Sequence, residues 1–138
     1  MDEDKITKFI KQLSKDTLAK KISWRRLTNY ENIRPDSNEL ISSMLFQNEY
    51  HHINFFSSYY SIVSNGTIYI VYEVNESGRD GTITNGYNIY LHDEDKNKLI
   101  SLPCPISTIY QLTNSIQLFL ENEESDAASF IDDYFSQN

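Results

Sequence analysis

A single cysteine, Cys104, excludes any internal disulfide. It thereby excludes the disulfide-stapled scaffolds typical of small exported domains. Long apolar runs are also missing: no stretch approaches the roughly 18 residues of a membrane-spanning helix. Met1 to Lys11 alternates charged and apolar residues where a signal peptide would be uninterruptedly apolar. These absences predict a cytoplasmic protein with no membrane partner. Asn65-Gly-Thr and Asn75-Glu-Ser match the glycosylation acceptor pattern, but without an export signal they read as turn residues. Glycine is scarce, with four residues in all. Neither G-x-x-x-x-G-K-[ST] nor G-x-G-x-x-G is present, so no phosphate-cradling loop is expected. A G-x-S-x-G nucleophile elbow is absent too.

Side chains that often carry chemistry are present, but in the wrong company. Cys104 lies between Pro103 and Pro105 without a recognisable base, so it reads as a structural thiol. His51 and His52 are adjacent on an extended segment and point to opposite faces, and His92 is remote in sequence. No metal pattern results. Asp93, Asp95 and Asn97 imitate the opening of a calcium loop. The sixth position is then Lys98 instead of glycine and the twelfth Cys104 instead of glutamate, so a hairpin turn is the expectation. The chain is therefore expected to be non-catalytic, with no cofactor and no metal.

What the chain does have is a core. Hydrophobic residues make up 39% and aromatic residues 13% of its 138 residues, enough for one domain over 1–138. Ile6, Phe9, Ile10 and Leu13 recur at helical spacing behind Asp2, Glu3 and Asp4, with Lys8, Lys11 and Lys15 on the opposite face. This helix is expected to continue or restart through Lys21. A short strand around Ile22–Leu27 follows, then a loop over 28–37. A short helix carrying Leu40, Ile41, Met44 and Leu45 comes next, opened by Asp36 and Glu39 as a capping box. Strands over 57–64 and 67–74 flank Asn65-Gly66, the pair that favours a type I′ hairpin turn. Both are apolar on both faces, which predicts central positions. A polar loop is expected over 75–86, strands over 87–92 and 98–102, and a prolyl stop at Pro103. Ile109, Leu112, Ile116, Phe119 and Leu120 predict a helix capped by Ser107. The acidic stretch 121–126 is expected to separate it from a last helix carrying Ala127, Phe130, Ile131 and Tyr134. The fold class is α+β: a four- to five-stranded antiparallel meander with N-terminal and C-terminal helices packed on one face.

Charge is polarised. Residues 1–34 hold nine of the twelve basic residues and five of the twenty acidic ones, while residues 35–138 carry a net charge of −12. The last eighteen residues have six acids and no Lys or Arg. Lys20, Lys21, Trp24, Arg25 and Arg26 mix cations with an aromatic residue, but the acidic remainder would repel phosphates. Nucleic acid is therefore disfavoured, and Trp24 is expected in the core. Glu121, Glu123, Glu124, Asp126, Asp132 and Asp133 form a candidate binding face for a protein with a basic surface. An immunity-like or phage-inhibitor-like module is the leading expectation. A small-ligand binder or small enzyme using strand-end residues such as Tyr90 and His92 is one alternative, and a homodimeric subunit joined through a sheet edge is another.

Codon economy in a chain rich in Asn, Ile, Lys and Tyr points to an AT-rich bacterial or phage genome. Ser58-Tyr59-Tyr60, the Asn65-Gly66 hairpin and Ile68-Tyr69-Ile70 resemble motifs of a group of small bacterial proteins without an assigned activity. Tyr87-Asn88-Ile89-Tyr90-Leu91, the helix with Leu112 and Ile116, and Ile131-Asp132-Asp133 extend the resemblance over about residues 45–135. The resemblance implies a compact α+β fold and carries over no site residue.

Overall fold

The computed structural model describes residues 3–28, 51–76 and 78–137. The expected short helix over 39–47 and nearly all of the loop before it lie outside these residues. The first helix, α1, spans Glu3–Leu18, and its apolar stripe buries Ile6, Ile10 and Leu13. It continues past Lys15 to Leu18 and stops short of Lys21. Lys20 takes a left-handed conformation with φ 60°. Lys21 N–H then donates to Asp16 O at 2.8 Å and Lys20 N–H to Thr17 O at 3.1 Å. That pair of bonds satisfies the last carbonyls and ends the helix.

Among the described residues six antiparallel strands follow: β1 (Arg25–Arg26), β2 (His51–Ile53), β3 (Tyr59–Val63), β4 (Gly66–Glu76), β5 (Ile83–Asp93) and β6 (Lys98–Leu102). Their order is β1-β3-β4-β5-β6, with β2 also paired to β4. The expected meander is β3 to β6. The additional strand, β2, has three residues and is too short to show a period in the sequence. Both β2 and β3 pair with β4, and a 3₁₀ turn at Phe55–Ser57 separates them. Ser58 closes the resulting gap in the ladder. Its hydroxyl accepts from Tyr72 N–H at 2.9 Å and donates to Asn54 O at 2.8 Å.

The register aligns Tyr59, Ile70, Ile89 and Leu102 in one row across four strands. This row and Ile68 face the helices, where α1 and the C-terminal helix complete the main core with Ile109, Leu112, Ile116 and Phe119. Burying one such side chain contributes roughly 1.5–3 kcal/mol. Tyr69, Val71, Tyr90 and Leu99 occupy the opposite face with Leu27 and Ile53. β4, paired on both sides, is central as its composition predicts, whereas β3 is covered on its outer side only at Tyr59 and Tyr60.

Three further boundaries differ from expectation. The β3–β4 hairpin forms, but its two turn residues are Ser64 and Asn65, because Val63 pairs with Gly66. Neither has a positive φ, so the type I′ turn is not adopted. Gly66 is instead the first residue of β4, with φ +154°. The loop expected over 75–86 is shorter, since the β4–β5 ladder continues to Glu76↔Ile83. Polar side chains there report exposure to water, and both backbones remain paired. Finally, the two expected C-terminal helices are one, α2, spanning Ile106–Ser136. Pro105, not Ser107, is its N-cap residue. No Gly or Pro interrupts 106–136, and Glu and Ala favour helix, so the acidic run continues the element.

Candidate functional site

The two α-helices among the described residues are unequal. At about 1.5 Å per residue, α1 is roughly 24 Å long and α2 roughly 46 Å. The buried residues of α2 end at Phe119, and every residue from 121 to 137 is exposed. The apolar stripe does not end there. Ala127, Phe130, Ile131 and Tyr134 prolong it at i, i+3, i+4 and i+7, with Phe130 75% and Ile131 52% exposed. The distal half of α2 is therefore an amphipathic helix with its apolar face in water.

All six predicted acids lie on this half, but not on one face. At 100° per residue, Glu123 falls on the apolar stripe itself. Asp126 and Asp133 flank it on one side and Glu124 on the other. Glu121 and Asp132 fall on the back of the helix. Glu121 also borders a shallow cleft with Arg26, Phe56, Tyr59 and Gln117. No basic residue occupies the last turn, so the negative pole of the helix and its acids reinforce one another.

A second feature was not anticipated. Glu73 of β4 is only 5% exposed. Tyr90 Oη donates to its two carboxylate oxygens at 3.1 and 3.0 Å, and Asn88 Nδ2 donates to Oε2. The sequence signal is one acid inside the run Ile68–Val74, otherwise apolar or aromatic. Glu73 and Asn88 border a cleft of about 360 Å³ that also takes in Tyr87, Cys104, Ile106, Ile109 and Tyr110. On the helix-facing side, the Tyr87 ring meets Tyr72 at 4.9 Å and Tyr110 at 5.7 Å, both edge to face.

Burial, followed by the neighbouring Tyr59, Tyr110 and Tyr72 rings, pushes the Tyr87 phenol up to about 12. Burial and then the Glu73 carboxylate raise Tyr90 as well. Both hydroxyls stay protonated in the fold above the ordinary value of 10.0. The unfolded chain therefore binds fewer protons than the native one above pH 10, and the contribution is lost as pH rises through the folded values. Stability is expected to hold below about pH 10 and to decline from there to about pH 12. Urea midpoints on either side of pH 10 check this, and Tyr87→Phe should flatten the decline.

The other side chains singled out in the sequence take the following places. Burial raises the Cys104 thiol, away from the reactive thiolate. Trp24 is buried, as expected, and donates its indole N–H to Thr17 Oγ1 at 2.9 Å. Arg26 covers the Phe56 ring at 4.6 Å, and its Nη1 donates to Phe56 O at 2.7 Å. Asp93 Oδ1 accepts from Asp95 N–H at 3.0 Å and Lys96 N–H at 3.3 Å, which makes 93–97 the hairpin turn expected. Of the two strand-end candidates, Tyr90 is engaged with Glu73. His92 is buried, with Nε2 3.1 Å from Asn97 Oδ1. Among the described residues no helix is long and apolar enough to cross a membrane. Comparisons with family models, curated proteins and solved structures find no match to this chain.

Proposed function

We propose that this chain is a non-catalytic protein-binding module of the immunity or phage-inhibitor type, and that the distal half of α2 docks on a partner with a basic surface. The observation that carries this reading is a folded helical segment, 121–136, whose apolar stripe is exposed in full. Solvent-exposed Phe130, Ile131 and Phe135 lower solubility without helping the fold, and such patches mark interaction sites. Helix-in-groove recognition uses this i, i+3, i+4, i+7 spacing.

Charge selects the partner. Six acids on sixteen residues, ending at a helix C-terminus without a cation, disfavour the same segment of another copy. Lys and Arg around an apolar groove would neutralise Glu123, Glu124, Asp126 and Asp133 together and would speed encounter.

Affinity capture from the native host, at low and high salt, tests the reading with two variants. Phe130→Asp with Ile131→Asp removes the apolar stripe. Glu123→Lys, Asp126→Lys and Asp133→Lys together reverse one flank. A basic protein held at low salt, weakened by high salt and lost with either variant is the expected outcome. Each variant should weaken binding by roughly a hundredfold. Equal retention by all three proteins excludes the distal helix as the docking element.

A further inference from the structure

β6 covers only half of β5. Leu102 pairs with Ile89, and Pro103 and Pro105 then lead the chain off the sheet. Among the described residues, no strand pairs with the outer edge of residues 83–88. The phase of that edge follows from its neighbours. Glu94 N–H donates to Asn65 O at 3.1 Å, and the β4–β5 register is unbroken from Gly66↔Asp93 to Glu76↔Ile83. Backbone groups alternate sides along an antiparallel strand. Those of Thr84, Gly86 and Asn88 therefore face β4, and those of Ile83, Asn85 and Tyr87 face outward.

Two other edges among the described residues carry the usual protection. β6 has five residues, starts at Lys98 and is followed by Pro103. β1 covers β3 at Tyr59 and Tyr60 and leaves only three residues beyond. Residues 83–88 have no charge, no proline and no bulge, the devices that normally keep an edge from pairing. Apolar side chains lie around this edge as well: Ile83 is 62% and Ile106 73% exposed.

We infer that a second copy of this chain pairs at this edge, β5 against β5, across a two-fold axis at Asn85. In that register Asn85 lies opposite its own copy, and Ile83 of each copy lies opposite Tyr87 of the other. About six backbone hydrogen bonds form, and one sheet runs through both copies. The segment is self-complementary, which an isologous contact requires. It places aliphatic against aromatic and opposes no like charges. The cleft beside Tyr87, Ile106, Ile109 and Tyr110 leaves room along the edge. An extended segment of another protein would use the same backbone groups. It would gain nothing from the Ile83–Tyr87 exchange that the two-fold provides.

Sedimentation equilibrium on the full chain, from low to high micromolar, tests the contact. The wild type is expected to approach twice its 16.1 kDa mass. Asn85→Pro deletes an outward N–H and no bond to β4. Asn85→Lys and Asn85→Glu each set like charges face to face at the axis. Each variant alone should raise the dimer dissociation constant at least about tenfold with the circular dichroism spectrum unchanged. Mixing the Lys and Glu variants should restore the dimer, and this pair carries the test if Asn85→Pro unfolds the chain. Phe130→Asp should leave dimerisation intact, which separates this contact from the distal helix. A wild type that stays monomeric throughout, variants that dimerise as well as the wild type, or a mixture that fails to recover each overturn the inference.

Discussion

Gly66→Ala is expected to destabilise the fold by roughly 3 kcal/mol or more, a fall of about 10 °C in Tm. A Cβ at this position would sit 1.8 Å from the carbonyl oxygen of His92 and 3.2 Å from the Glu94 nitrogen. Both obstacles are backbone, of β5 and of the turn just after it, which cannot rotate away as a side chain can. The φ of +154° adds conformational strain for any residue with a side chain. Gly86→Ala is the control. An added Cβ there meets nothing within 4 Å, and the φ is not positive, so its stability should be unchanged or slightly raised. Urea titration of the two variants side by side decides the matter. A loss below about 1 kcal/mol for Gly66→Ala would show that the hairpin end relaxes freely.

The second large effect is expected at Glu73. Glu73→Ala removes the acceptor of the Tyr90 hydroxyl and of the Asn88 amide; the exposed amide can turn to water, but the buried hydroxyl is left beside an apolar cluster. Hydrogen bonds to a charged group are each worth about 1.5–3 kcal/mol, and an orphaned buried donor adds a desolvation penalty. A loss of roughly 2–4 kcal/mol is expected. Glu73→Gln keeps one carbonyl acceptor and should cost about half as much. Denaturation of Glu73→Ala, Glu73→Gln and Glu73→Ala/Tyr90→Phe separates the effects. The double variant should recover part of the loss, because no hydroxyl remains to be satisfied. Equal stability of the Ala and Gln variants would show that the carboxylate is held for some other reason.

Much of this fold is legible in the sequence because its elements bury one face each. The stripe Ile6, Ile10, Leu13 has helical period, which makes α1 legible though not its end at Leu18, and Pro103 bounds Lys98–Leu102, so β6 is legible to the residue. Boundaries failed where exposure was mistaken for irregularity. Half of the polar stretch Asn75–Gly86 is ladder, and the acidic stretch 121–126 is helix, since water serves both without disturbing backbone hydrogen bonds. The hairpin turn moved by one residue because Gly66 answers to the strand beside it, a constraint absent from local sequence. The acids of the candidate face were legible as composition. Their division between the stripe, its flanks and the back of α2 required knowing that one helix carries them all. Glu73 could be seen only as an acid among apolar neighbours, and its partners lie fifteen and seventeen residues away. The open edge of β5 depends on where β6 stops, which is a property of pairing.

Helix initiation gives the length of α2 a further meaning. A free sixteen-residue peptide with six acids would spend most of its time unwound, because the first turn must order several residues for one hydrogen bond. Here residues 106–120, held against the sheet and α1, supply that first turn permanently. The outer residues need only propagate from it, one bond for each residue ordered. A surface meeting residues 121–136 therefore encounters a shape already formed, and its grip on the outer turns reports directly on the packing of Leu112 and Ile116 in the core.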